Sequence, residues 1–131
     1  MTTAIICAAI LAAMLFLLGV NVSRMRGVQA KAGGSQLPTD PDDRLLIAIR
    51  AHGNASEYVP TLIVLFLLVG AHGPATVAVP LIVGATLARA LHAYGLLTTR
   101  SLASQTVPRV AGAAGTYLFG VALAVAAAFT L

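Results

Sequence analysis

Hydrophobic residues in this chain neither alternate nor form narrow stripes; they run together. Four apolar stretches stand out, near residues 4–22, 45–70, 75–97 and 110–131, each long enough to cross a hydrocarbon core as a helix. The pattern predicts four transmembrane helices, with breakers at the joints. Gly33, Gly34 and Ser35 with Pro38 and Pro41 follow the first stretch, Gly70 to Pro74 the second, and Thr98 to Pro108 the third. No other boundary is visible, so residues 1–131 read as one domain, an all-α integral membrane protein built as a four-helix bundle. The first stretch has no positive charge before it and no small-residue cleavage site after it, so it reads as a retained helix and not as a secretory leader.

Composition agrees with a bilayer as solvent. The chain is 59% hydrophobic and 9% charged, with a mean hydropathy of +0.93, whereas a soluble domain carries about a quarter charged residues. The net charge of +4 comes from dispersed cations, with no aromatic-interleaved basic patch of the kind nucleic acid needs. Cys7 is the lone cysteine, inside an apolar run, so there is no disulfide framework and no metal-ligand spacing. Arg24, Arg26, Lys31 and Arg44 flank the first connection and Arg100 and Arg109 the third, while the second has no cation. By the positive-inside rule the first and third connections face the cytoplasm and both termini face away from it.

The second span carries an explicit start signal. Thr39 or Asp40 can cap it, Pro41 suits its first turn, and Asp42 and Asp43 complement the positive end of the helix dipole. Counted from Asp40 to Gly70 it would be about 46 Å long, project beyond the lipid at its start, and kink at Pro60.

At 100° per residue Arg50, Asn54 and Glu57 fall within about 60° of one another, with Tyr58 at the margin. Arg89 and His92 form a shorter stripe on the third span. Counting outward from the tight second connection sets Glu57 level with Arg89 and Asn54 level with His92. Ionisable groups inside a membrane cost roughly 2.5 to 3.5 kcal/mol each to insert and default to a functional reading. A neutralising Glu57–Arg89 pair is the structural alternative. Against it, Arg50, Asn54, His92 and Arg109 converge on the same end and supply more donors than Glu57 can satisfy, an inventory that fits an anionic ligand with one cationic group. His52 points about 160° away from Arg50, as an interface or solvated histidine does. Tyr94 suits the interfacial aromatic belt, and His72 lies in the far connection. Gly112, Thr116 and Gly120 recur every four residues, a small-residue face for close helix packing.

The run Arg50-Ala-His-Gly-Asn54-Ala-Ser-Glu57-Tyr58-Val-Pro60 resembles the signature of the MAPEG superfamily, the membrane-associated proteins in eicosanoid and glutathione metabolism, and Arg89-Ala-Leu-His92-Ala-Tyr-Gly95 is similar to the third helix of its bacterial members. The resemblance implies a homotrimer of four-helix subunits, in a bacterial inner membrane here. Such a trimer binds glutathione between subunits near the cytoplasmic face while a lipophilic electrophile arrives from the lipids. It implies that Arg50, Asn54, Glu57 and Tyr58 contact the tripeptide, with Arg89 and His92 beside them, and that His52 reaches the glutathione of the adjacent subunit. Arg109 is the candidate for holding the glutathione thiolate, the catalytic role. Arg24 or Arg26, at the end of the first helix, matches a further basic contact. Leu96 and His92 stand where leukotriene-forming members carry tyrosines, so the closer likeness is to a glutathione transferase or peroxidase acting on hydrophobic compounds. A non-catalytic glutathione-binding scaffold is the rival reading. A transporter has less support, because no inverted repeat is visible.

Overall fold

The computed structural model describes residues 1–129, which form four helices and no strand. Helix α1 spans Thr2–Lys31, α2 Arg44–His72, α3 Ala75–Thr98 and α4 Val107–Ala128. All four are long and apolar enough to cross a membrane, and the chain is an integral membrane protein. The last two residues of the expected fourth span, Thr130 and Leu131, lie outside the described residues.

The helix ends depart from the sequence expectation in instructive ways. Helix α1 runs nine residues past the apolar stretch, to Lys31, because Arg24, Arg26, Gln29 and Lys31 favour helix although they are not lipid-soluble. It closes where Gly33 takes a left-handed φ of 68°. The Gly34 N–H then donates to the Gln29 carbonyl at 3.0 Å and the Gly33 N–H to Ala30 at 3.1 Å, the paired bonds of a Schellman cap. Helix α2 starts later than expected, capped by Asp43 and not by Thr39 or Asp40. The Asp43 carboxylate accepts from the Leu45 N–H at 2.7 Å and the Leu46 N–H at 3.2 Å. Asp40 instead accepts from Asp42 in a local turn, which leaves Pro41 outside the helix. With 29 residues α2 is about 43 Å long. It continues as helix through Pro60 and on to His72, so that histidine closes α2 and is not in a loop. Helix α4 begins at Val107, three residues before the apolar run, with Pro108 in its first turn.

Because water drives no helices together inside lipid, packing rests on close contact of small residues. The α3–α4 seam shows this at successive levels. A Cβ at Gly95 would collide with the Arg109 backbone, one at Gly112 with the His92 backbone, and one at Gly115 with Ala88. Gly112 and Thr116 of the predicted small-residue face are buried in this seam, while Gly120 looks toward Leu62 of α2. Leu11, Val59, Phe66, Ile82 and Leu123 fill the centre of the bundle, and Phe16, Leu17, Leu87, Leu118 and Val121 face outward, as lipid contact requires.

The two long connections meet at one end. The Leu102 N–H donates to the Pro41 carbonyl at 2.9 Å, and Arg44 Nη1 to the Thr99 carbonyl at 3.1 Å. All the helix-flanking cations therefore gather on that side of the bundle, where the sequence assigns them.

The seam predicts a pair of opposite outcomes. Gly112→Ala should destabilise the protein by about 1–3 kcal/mol through overpacking. Gly27→Ala should be neutral or slightly stabilising, because nothing lies within 4 Å of a Cβ there and alanine is the better helix former. Reversible unfolding in mixed micelles distinguishes them; equal effects would refute the close approach of α3 and α4.

Candidate functional site

The site is built outward from a buried cation. Arg89 of α3 is 1% exposed, and a guanidinium so placed needs partners. Its Nη2 donates to Asn54 Oδ1 of α2 at 2.9 Å. Its Cζ lies 5.2 Å from the centre of the Tyr58 ring, within cation–π range. Its Nε has no hydrogen-bond partner. The Tyr58 hydroxyl in turn donates to that of Tyr117 on α4 at 3.5 Å, with the ring centres 5.8 Å apart.

The expected register is thus shifted by one turn: Arg89 meets Asn54, and no ion pair joins it to Glu57 among the described residues. The reason is angular. Asn54 and Glu57 lie about 60° apart around α2, so only one of them can face α3. The helix turns Asn54 inward and leaves Glu57 exposed.

Above this cluster, toward the basic end, a groove of about 500 Å³ opens between α2, α3 and α4. Arg50 and Asn54 line it from α2, His92 from α3, and Arg109 and Tyr117 from α4, with Gln105 from the connection. Ala113 and Ala114 leave the room, and no carboxylate lines the cavity. Two lining groups are held by the α3–α4 connection. His92 Nδ1 lies 2.8 Å from the Arg109 carbonyl. A carbonyl only accepts, so Nδ1 carries the proton, and in the neutral ring Nε2 is left as an acceptor. Arg109 Nη1 donates to the Leu102 and Ser104 carbonyls, each at 3.0 Å, which leaves its Nε and Nη2 uncommitted. Arg50 is exposed and makes no hydrogen bond among the described residues.

A model of the MAPEG family matches residues 4–129, which takes in nearly all of the four helices. The chain belongs to the MAPEG family. No curated protein and no solved structure matches it. MAPEG membership covers the whole bundle, so the signature residues can be placed in one frame.

Of the residues singled out in the sequence, Arg50, Asn54, His92 and Arg109 share the groove, and Tyr58 and Arg89 sit at its floor. Four others lie apart, among them Arg24, exposed on α1 with its Nη2 donating to Asn21 Oδ1 at 3.1 Å. Glu57 is exposed outside the groove. His52 points at α1, where a Cβ on Gly19 would lie 3.3 Å from its Nε2. Arg26 is exposed on α1, with its carbonyl accepting from Gln36 Nε2. Tyr117 and Gln105 are polar lining residues that sequence reasoning missed, and Tyr117 had a signal. Its signal was the spacing, since Arg109, Ala113 and Tyr117 recur every four residues on one face of α4.

Among the described residues Asn54 is the only hydrogen-bond acceptor of the buried guanidinium. Asn54→Leu should cost about 3 kcal/mol of stability by orphaning a buried charge, and Asn54→Leu combined with Arg89→Leu should recover most of it. A double variant no more stable than the single one, measured by the same unfolding titration, would remove Arg89 from the centre of this account.

Proposed function

We propose that this protein is a glutathione-dependent membrane enzyme that activates the glutathione thiolate for attack on lipophilic substrates. The family includes glutathione transferases and peroxidases. The observation that carries the proposal is the acid-free groove in which Arg50, Arg109, Asn54 and His92 face one space at the basic end. Glutathione has two carboxylates, an ammonium and a thiol. Carboxylates match arginines, whose paired N–H donors bind them strongly at low dielectric. The thiol, with a free pKa of about 8.5 as in cysteine, is mostly protonated at neutral pH. A guanidinium beside it favours the thiolate, which is the nucleophile. Arg109 suits that role: its Nη1 is fixed by two carbonyls and its other donors are free. A pKa lowered by about two units corresponds to roughly 2.7 kcal/mol of preferential anion stabilisation.

The lipophilic partner has a place as well. An apolar groove of about 280 Å³ runs between α2 and α4 and shares Tyr117 with the polar one. It is lined by Leu62, Leu65 and Val121, on an outward side of the bundle where Val121 is exposed. A substrate lying there brings its electrophilic end to the polar groove. In conjugation the sulfur forms a bond to carbon while the leaving group departs with its electron pair. In peroxide reduction the thiolate attacks the distal oxygen, the O–O bond breaks and the alkoxide leaves and is protonated to the alcohol; a second glutathione then attacks the sulfenic sulfur, forming the disulfide and releasing the oxygen as water. Either path gains from holding both partners in contact.

Glu57 and His52 support a homotrimer with α2 innermost. Both are polar, both lie outside the groove, and neither is suited to lipid; a neighbouring subunit would cover them and bring the glutathione ammonium an acid. Cross-linking in native membranes should yield trimers, and a ladder that stops at dimers contradicts this arrangement.

Glutathione added to the purified protein should produce thiolate absorbance, and a model electrophile should be turned over. Arg109→Ala should reduce both the thiolate signal and kcat while glutathione affinity stays within a few-fold, since the α2 stripe still holds the tripeptide. If that variant forms thiolate and turns over like the parent, Arg109 serves only to hold the connection. If the parent binds glutathione with neither signal, the protein is a glutathione-binding scaffold.

A further inference from the structure

Two grooves of different character meet at one side chain. Among the described residues Tyr117 alone lines both the polar groove of Arg50 and Arg109 and the apolar groove of Leu62, Leu65 and Val121. It is 55% exposed, so it is not sealed inside the bundle. Its hydroxyl accepts from that of Tyr58 at 3.5 Å, a long bond, and accepting leaves the Tyr117 proton unspent. The direction of the bond has a cause. The Arg89 guanidinium stands over the Tyr58 ring, 5.2 Å from its centre, and draws on its electron density, which makes Tyr58 the better donor of the two. A hydroxyl that accepts one hydrogen bond is in turn a stronger donor of its own. Neither conjugation with a leaving group nor peroxide reduction gives that proton a task.

The place of Tyr117 on α4 decides what it can serve. It lies eight residues after Arg109, about two turns and about 12 Å along the axis. A long side chain on a helix leans toward the N-terminus, so the ring rises toward Arg109 without reaching it. An oxygen held by Tyr117 is therefore well separated from a sulfur held by Arg109. In an epoxide the oxygen is bonded to the carbon attacked, and in a hydroperoxide an oxygen is itself attacked; neither spans the gap. In an α,β-unsaturated ketone the attacked carbon and the oxygen that takes the charge are three bonds apart.

Resting on the thiolate reading above, we propose that the electrophile is a lipophilic α,β-unsaturated ketone with its hydrocarbon tail on the carbonyl side, and that the Tyr117 hydroxyl is the donor to its oxygen. The tail fills the apolar groove, the carbonyl oxygen meets Tyr117 at the junction, and the alkene points to the sulfur. The thiolate forms a bond to the β-carbon, the alkene electron pair moves between the α-carbon and the carbonyl carbon, and the carbonyl pair moves onto oxygen as an enolate. Tyr117 stabilises that charge as it develops, an interaction stronger in the transition state than in the ground state. Water at the groove mouth protonates the α-carbon and the carbonyl returns. No group leaves, and the hydrogen and sulfur of the thiol have added across the double bond.

The test compares pentyl vinyl ketone with octyl iodide, which has a similar tail and an attackable carbon but no oxygen. Both are given to the unaltered protein and to Tyr117→Phe, which keeps the ring, and rates are corrected for the uncatalysed reaction with glutathione. The unaltered protein should accelerate the ketone more than the iodide. Tyr117→Phe should lower the ratio of the two kcat/KM values about ten-fold, the worth of one neutral hydrogen bond, with the loss in kcat for the ketone. Thiolate absorbance, which needs no electrophile, reports the glutathione site separately. Thiolate in both proteins with an unchanged ratio overturns the role of Tyr117, and acceleration of the iodide alone overturns the ketone as substrate. Thiolate lost in the variant makes Tyr117 a glutathione contact instead, which also overturns its role. Neither thiolate nor acceleration in the unaltered protein sinks the glutathione reading itself, and this inference with it.

Discussion

One buried guanidinium constrains the upper half of this bundle. Arg89 sits in the wall of α3 with almost no access to solvent, and in lipid its charge needs protein partners. Meeting that need fixes the rotation of α2: Asn54 must face α3, so Glu57 cannot. Arg50, one turn nearer the membrane surface on the same stripe, is carried to the mouth of the groove. Tyr58 covers the guanidinium face and reaches Tyr117, which ties α2 to α4. A single electrostatic requirement thereby orders residues from three helices. That is why the polar side chains of α2 divide into a lining set and an exposed set.

The second constraint is steric. His92 and Arg109 cooperate only because the α3 and α4 backbones touch, and they touch because Gly95 and Gly112 present no side chain. The contact brings the Arg109 carbonyl within reach of His92 Nδ1 and so selects the imidazole tautomer before any ligand arrives. It also holds the connection between the helices, through Leu102 and Ser104, close enough to occupy one arm of Arg109. Packing residues that would be passed over in a search for chemistry thus decide which nitrogen of the histidine can accept and which donors of the arginine are free.

Much of this was legible in the sequence, and what was not failed for identifiable reasons. Apolar runs disclosed the four spans because bilayer thickness imposes a minimum length on each. They did not disclose where α1 ends, since Arg24, Arg26, Gln29 and Lys31 are good helix formers outside the lipid and hydropathy is blind to them. The cap of α2 was misplaced because Thr39, Asp40 and Asp43 all have capping side chains, and only the three-dimensional turn at Asp40 to Asp42 shows that the helix has not yet begun. The stripe of Arg50, Asn54 and Glu57 was visible as a 60° sector, but periodicity cannot say which edge of a sector faces inward. Tyr117 escaped notice because its partners are on another helix, and a lone tyrosine in an apolar span carries no local pattern.

The depth of Arg50 along α2 limits the kind of anion that can reach it. Arg50 lies six residues beyond Arg44 along α2, hence about 9 Å nearer the bilayer centre. A cation at that depth is more poorly hydrated, so it attracts a counter-anion more strongly, as interaction energies rise when the effective dielectric falls. It is also less accessible to headgroups, whose phosphates stay near the surface. An anion that reaches Arg50 must therefore be one that the groove itself enfolds, with polar walls such as Asn54, His92 and Tyr117 replacing its hydration. Arg24 and Arg44, nearer the end of the bundle, are exposed and need no such walls. The depth of Arg50 thus suits the groove to a compact polar anion, the kind of ligand the proposed function requires.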